Sequence, residues 1–178
     1  MYPIVRMVKE LALHARSAPL PPDGTHVSYH LCWPWDLDVW MELNNGRTLT
    51  LFDLGRIPMA MRMGLTRVLR EKRWGITVAG SSVRYRRRVR LFDRVEMRSR
   101  VLGWDERFLY VEQTMWRSNG ACANQILLRN AITGPNGIVP TADVAAALGI
   151  SAESPELPGW VKAWIDADAE RPWPPERA

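Results

Sequence analysis

Cysteine is nearly absent from this chain. Cys32 and Cys122 are the two among 178 residues. Two are too few for a disulfide framework, and their separation fits no metal motif, so a reducing, cytoplasmic setting is the simpler reading. Histidine is almost as scarce. His14, His26 and His30 all fall in the first thirty residues. No cysteine or carboxylate accompanies them at ligand spacing, so they read as structural or surface groups, and no metal or other cofactor is expected. Long apolar runs are missing too: none approaches the ~20 residues of a membrane span. Lys9 and Glu10 interrupt the N-terminal stretch MYPIVRMVKELALHAR where a signal peptide needs an unbroken apolar core. A strong charge imbalance is also lacking. The 24 Lys plus Arg against 19 Asp plus Glu leave a formal charge of +5, which permits an anionic ligand without calling for nucleic acid.

What is present points to a folded domain. Apolar residues make up 47% of the chain, and its length supports one domain with a real core. Ile4, Val8, Leu11 and Ala15 share one helical face, which predicts a terminal helix docked on the domain. A basic membrane-surface anchor is the sharper alternative, disfavoured because the segment is short and weakly basic. After the proline-rich connector SAPLPPDG, the run THVSYHLCW predicts a strand with Val27, Tyr29, Leu31 and Trp33 on one face. Asn44 is a good N-cap for the next segment. Leu49, Leu51, Phe52, Leu54 and Ile57 make it apolar nearly all round, so it should be a buried helix that Pro58 kinks or ends. LTRVLREKR follows as a surface-like helix. Four strand-like runs begin at Gly75, separated by short polar punctuation, and read as consecutive antiparallel neighbours. The tail offers a small helix at TADVAAALGI and another at WVKAWIDADAE, with Leu157, Trp160, Val161 and Trp164 as its apolar stripe. The class is α+β, one central helix packed against one curved sheet. The boundaries fall at residues 1–22 for the helix and connector, 23–140 for the main domain and 141–178 for a helical extension.

Two features carry candidate chemistry. In VRYRRRVR, a single strand would put Arg84, Arg86, Arg88 and Arg90 on one face. A solvated sheet face is the first reading, phosphate recognition the second. Nucleic acid is a distant third, since no aromatics interleave on that face. Nine tryptophans, three of them at Trp33, Trp35 and Trp40, suggest a subunit interface or an apolar ligand channel. Those three open the stretch WPWDLDVWMELNNGRTLTLFDLGR. Asp36 and Asp38 sit in the turn before the buried helix, and the backbone N–H groups of Asn45 and Gly46 fall in its unsatisfied first turn. Such a helix start polarises a carbonyl and stabilises an oxyanion, and a nearby carboxylate attacks the carbonyl or activates a water. On spacing alone, capping and turn formation explain the same residues more simply. Asp53 reads as the partner of Arg56 in an intrahelical ion pair.

The stretch DLDVWMELNNGRTLTLFDLGR resembles the signature segment of hotdog-fold thioesterases of the hydroxybenzoyl-CoA thioesterase type. In that pattern Asp-x-Asp is followed by Gly-His, an apolar residue and Asn-Asn. RVLGWDERFLYVEQ and ESPELPGWVKAWI extend the likeness toward the branch that includes the mammalian thioesterase superfamily member six. The resemblance covers most of residues 27 to 166 and implies a hotdog fold, a long central helix wrapped by a curved antiparallel sheet. It implies hydrolysis of an acyl-CoA or acyl-carrier-protein thioester by a homodimer or dimer of dimers with sites between subunits. In that reading Asp38 is the catalytic carboxylate, the Asn45 N–H the oxyanion donor and Asp36 a support of the turn. Met41, Glu42, Asn44, Gly46, Arg84, Arg86 and Arg88 are candidates for substrate contact or support. The sequence departs from the pattern at Met41-Glu42, where the family has Gly-His. That departure motivates the alternative of a non-catalytic acyl-CoA or lipid-binding protein. A hydratase-type site would need a histidine, and none follows His30.

Overall fold

The structure is a computed structural model that describes residues 2–177. Helix α1 (Ile4–His14) leads to strand β1 (His26–Leu31), a single 3-10 turn at Pro34–Asp36, and helices α2 (Asn45–Arg62) and α3 (Leu65–Lys72). Strands β2 (Gly75–Tyr85), β3 (Arg94–Trp104), β4 (Phe108–Arg117), β5 (Cys122–Gly134) and β6 (Gly137–Ile138) follow. Helices α4 (Thr141–Leu148) and α5 (Gly159–Ala169) close the chain.

The main sheet runs β1-β3-β4-β5-β2, antiparallel throughout, with β6 folded back on the end of β5. The consecutive pairing expected from Gly75 onward holds for β3, β4 and β5 only. Strand β2 pairs with β5 at the far edge, and β3 lies beside β1. The cause is the arginine segment. The strand ends at Tyr85, and residues 86–93 cross to the other side of the sheet. There Phe92 takes φ +61° and the Arg90 N–H donates to Asp93 Oδ2 at 2.9 Å.

Helix α2 lies on the inner face of the sheet. Asn44 caps it, its Oδ1 accepting from the Arg47 N–H at 3.0 Å. Leu51, Phe52, Leu54 and Met59 are buried in the main core with Met97, Met115 and Ile126 of the sheet. Gly55 permits the close approach: a Cβ there would stand 2.7 Å from Met97 Sδ and Ser99 Oγ. Buried Gln113 fastens the contact, its Nε2 donating to the Phe52 carbonyl and to Ser99 Oγ, both at 2.7 Å. Pro58 neither ends the helix nor stops its packing. The missing N–H and ring clash cost roughly 3 kcal/mol in a free helix. Here buried Leu54 and Met59 hold both sides of the proline in the core, and the helix continues to Arg62. Gly64, at φ +81°, then terminates it.

Two elements bury polar groups that an apolar pattern passes over. On β1 the buried side carries His26, Ser28 and His30, continued by Cys32, while Tyr29 is exposed. Most of that polar face finds partners inside, although His26 Nε2 has none among the described residues. Ser28 Oγ and His30 Nε2 lie 2.8 Å apart, and Arg62 Nη1 is 3.1 Å from His26 Nδ1. Helix α1 docks through Met7 and Glu10, leaving Ile4 and Val8 exposed. Glu10 is buried 3.8 Å from His14 Nε2 and 3.9 Å from His30 Nδ1, and Arg6 Nη2 donates to the Leu31 carbonyl at 3.0 Å, so polar groups join Met7 and Leu11 in setting the docked face. The tail helices cover the sheet further. Val144 of α4 packs with Leu65 and Ile132. On the opposite face Val161, Trp164 and Ile165 of α5 pack with Leu102, Tyr110 and Leu127.

Candidate active site at the start of the central helix

Asp36 is a structural hub. Its carboxylate is fully buried; Oδ2 accepts from Arg6 Nη1 at 2.7 Å and the Trp33 N–H at 3.0 Å, and Oδ1 from Arg47 Nε at 2.7 Å. Its carbonyl takes the Asn44 N–H at 2.9 Å. One residue thus ties α1, the 3-10 turn and the start of α2 together. Trp33 stacks on Trp35 with centroids 5.3 Å apart. Val39 and Trp40 are exposed beyond them.

Asp38 opens a tight loop closed by the pairing of Leu37 with Leu43. Its N–H donates to the Glu42 carbonyl at 2.9 Å, and its Oδ1 accepts from the Trp40 N–H at 2.8 Å. Met41 occupies the left-handed region at φ +57°. That gives a backbone reason for glycine in the pattern the sequence resembles, since glycine adopts this conformation without a side-chain clash. The loop is stitched to the arginine segment by the Leu43 N–H, donated to the Val89 carbonyl at 2.8 Å, and by the bridge between Glu42 and Arg90.

Beyond the loop lies a cavity of about 210 Å³. Glu42, Asn45, Tyr85, Arg86, Arg87, Arg88 and Asn124 line it. Glu42 Oε2 is 2.9 Å from Arg88 Nε, an ion pair largely open to solvent on the arginine side. Tyr85 donates from its hydroxyl to the Asn45 carbonyl at 3.1 Å, and burial raises its phenol above the ordinary value, so it remains a donor. Among the described residues, the N–H groups of Asn45 and Gly46 make no hydrogen bond to the protein, as the first turn of an α-helix requires. Asn124, absent from the sequence reading, is 3% exposed and its Oδ1 has no partner. Its Nδ2 meets only Met115 Sδ, at 3.8 Å. The signal available was an asparagine two residues from Ile126, on a strand that is otherwise mostly apolar.

The candidates therefore divide. Glu42, Asn45, Arg86 and Arg88 meet in one cavity, while Asp38 and Met41 belong to the loop that carries Glu42. Arg84 points elsewhere: strand alternation turns it to the outer face, where it lines a separate hollow with Trp160 and Gln125. Asp53 and Arg56 form the intrahelical ion pair on α2. The three histidines cluster under α1. Burial, then the nearby His14 and Arg62, lower His26 to about 4. Burial, then Arg6 and Lys9, lower His30 to about 3.

A buried central helix wrapped by an antiparallel sheet, with Asn45 of its first turn lining a cavity beside a carboxylate-bearing loop, is the hotdog thioesterase layout. The chain belongs to the thioesterase-like superfamily, whose family model matches residues 32–165. Protein THEM6 of Xenopus laevis is 32% identical over 158 residues, spanning 87% of this chain and 75% of that protein. Among solved structures, Slr0204, a 1,4-dihydroxy-2-naphthoyl-CoA thioesterase from Synechocystis, superposes with a TM-score of 0.61 at 8% identity, over 70% of this chain and 95% of its own. SAV2348 of Staphylococcus aureus, solved in complex with CoA, gives 0.63 at 8% identity, over 74% and 85%. At such identities the two structures speak to the fold alone.

Proposed function

We propose that this protein hydrolyses an acyl thioester, of CoA or of an acyl carrier protein, at the start of α2. The observation that carries the reading is that Asn45, whose N–H has no partner among the described residues, lines the same cavity as Glu42 and the arginines. A thioester carbonyl oxygen placed there takes the Asn45 N–H and the positive end of the helix as negative charge develops. The loop supplies the carboxylate, with Asp38 as nucleophile or general base. Its Oδ1 serves the loop, and its second oxygen is free of protein partners among the described residues. As general base Asp38 takes a proton from a water whose oxygen bonds the acyl carbon; as nucleophile its own oxygen bonds that carbon, and a water then cleaves the anhydride. Either way the C–S bond breaks and the thiolate takes up a proton that the water supplies. Arg86 and Arg88 offer guanidinium groups to CoA phosphates. Membership of the superfamily supports this chemistry. The two free cysteines, Cys32 and Cys122, suit a reducing compartment such as the cytoplasm.

Asp38→Asn keeps the acceptor for the Trp40 N–H while removing the carboxylate. If Asp38 is the carboxylate that does the chemistry, thiol release from a panel of short, long and aromatic acyl-CoAs should fall by about 100-fold or more in that variant. Full activity in it would remove Asp38 from the chemistry. One observation favours a second reading, a non-catalytic acyl-CoA binder: both carboxylates of the loop already hold protein partners, Asp38 its own loop and Glu42 Arg88. Thermal stabilisation by CoA esters without thiol release would establish it.

A further inference from the structure

We infer that the water consumed by hydrolysis is held inside the cavity between Asn124 Oδ1 and Glu42 Oε1. Glu42 then takes that water's proton in place of Asp38 as general base, so that Glu42→Gln loses thiol release while Asp38→Asn keeps it. The inference rests on the thioesterase reading and assigns a part within it.

A lytic water has two O–H bonds to direct. If one points at a base and the other at a fixed acceptor, a lone pair is left aimed at the carbonyl carbon. Two residues that line the cavity carry such acceptors. Asn124 is 3% exposed and its amide oxygen has no partner among the described residues. A buried acceptor left unpaired costs about 1–3 kcal/mol, and persists where a water or ligand completes it. Its position is fixed from two sides. It pairs across the sheet with Tyr85, and Tyr85 in turn donates to the Asn45 carbonyl. The acceptor therefore stands next to the residue whose N–H would take the oxyanion. Glu42 lines the same cavity. Its Oε2 faces Arg88, and its Oε1 makes no hydrogen bond among the described residues. Asp38 does not line this cavity, and its Oδ1 is engaged by the loop.

The step balances without a further reactant. A water O–H bond breaks and its proton passes to Glu42 Oε1 while the oxygen bonds the acyl carbon. The C–S bond then breaks, and Glu42 returns the proton to the departing thiolate. The net reaction is thioester plus water to acid plus thiol.

Three variants and one structure test the pair. Asn124→Leu removes the acceptor at similar volume and should lower kcat by about 100-fold with KM little changed. Asn124→Asp restores an oxygen and should recover part of that loss. Glu42→Gln should lower kcat by a similar factor and remove the acid limb of the kcat/KM–pH profile, which a purely structural role would leave in place. Melting temperatures of all three separate lost chemistry from lost fold. A high-resolution crystal structure of the unmodified protein should show one ordered water within hydrogen-bond distance of Asn124 Oδ1 and Glu42 Oε1, absent in Asn124→Leu. Wild-type kcat in folded Asn124→Leu or Glu42→Gln overturns the inference, as does a dry cavity in the unmodified protein. If the protein cleaves no thioester at all, the thioesterase reading fails, and with it the catalytic part of this assignment. The crystallographic water then decides whether the pair binds water.

Discussion

At the scale of single residues, two positions in the same loop pull in opposite directions. Asp36 holds two guanidinium groups and a backbone N–H while fully buried. Removing one partner of such a cluster strands the others, so Asp36→Ala should destabilise the protein by about 3 kcal/mol or more. Urea or thermal unfolding measures it, and a loss below 1 kcal/mol would show that Arg6 and Arg47 reach water instead. Met41 is the converse. It sits at φ +57° with its side chain 60% exposed, so it bears left-handed strain with little packing in return. Met41→Gly relieves a cost of about 1–2 kcal/mol and adds the entropy glycine loses on folding. The net expectation is a stabilisation of roughly 0.5–1 kcal/mol, read from the same unfolding curves. Neither property is visible in the letters DLDVWME, which present the two aspartates alike. Burial and backbone angle separate them, and both are set by what packs around the loop.

At the scale of elements, the sequence showed what each segment is better than where its faces go. The central helix and its Asn44 cap were legible because apolar density and a capping residue are local signals. The strand order was not, because nothing within VRYRRRVR reveals that the strand stops at Tyr85 and the chain crosses the sheet. For the site, Asn45 was legible as a first-turn amide, whereas Asn124 required knowing that β5 pairs with β2 there. The docked face of α1 was misread for a physical reason that can be tested. Its contact with β1 is built on Glu10, His14, His26 and His30, groups that a hydrophobic pattern overlooks. His26 and His30 are held near 4 and 3, below their ordinary 6.5. A depressed histidine means the unfolded chain binds protons first as pH falls. Stability is therefore full above about pH 6.5 and declines from there toward pH 4, where His26 titrates, and onward toward pH 3 for His30. Each histidine costs up to about 1.4 kcal/mol per pH unit across its window. His30→Gln should flatten the slope between pH 6.5 and 4 in a pH series of unfolding curves. An unchanged slope would place the acid sensitivity on carboxylates instead.

At the scale of the whole molecule, the unsolved surface is the β2 edge. Strand β2 spans 11 residues, borders β5 on one side and, among the described residues, has no strand on the other. Ile76 and Val78 on it are each 46% exposed. A long edge with unpaired amides and exposed apolar side chains invites another strand, and folded proteins normally cover, charge or bend such an edge. Neither lysine nor proline occurs between Gly75 and Tyr85 to blunt it. Pairing β2 with the β2 of a second copy satisfies both edges at once and closes with two-fold symmetry, so it ends at a dimer. That dimer would also bring the partner's surface toward Tyr85, at the end of β2 that borders the cavity. Light scattering coupled to size-exclusion chromatography should therefore give twice the 20.4 kDa chain mass. Ile76→Lys combined with Val78→Lys places two charges on the edge and should shift the mass to the monomer. If the edge also shapes the cavity, thiol release should fall with it. A monomeric unmodified protein, or a double variant that stays dimeric, would move the interface to another surface, of which the exposed Trp35, Val39 and Trp40 beside the site are the next to examine.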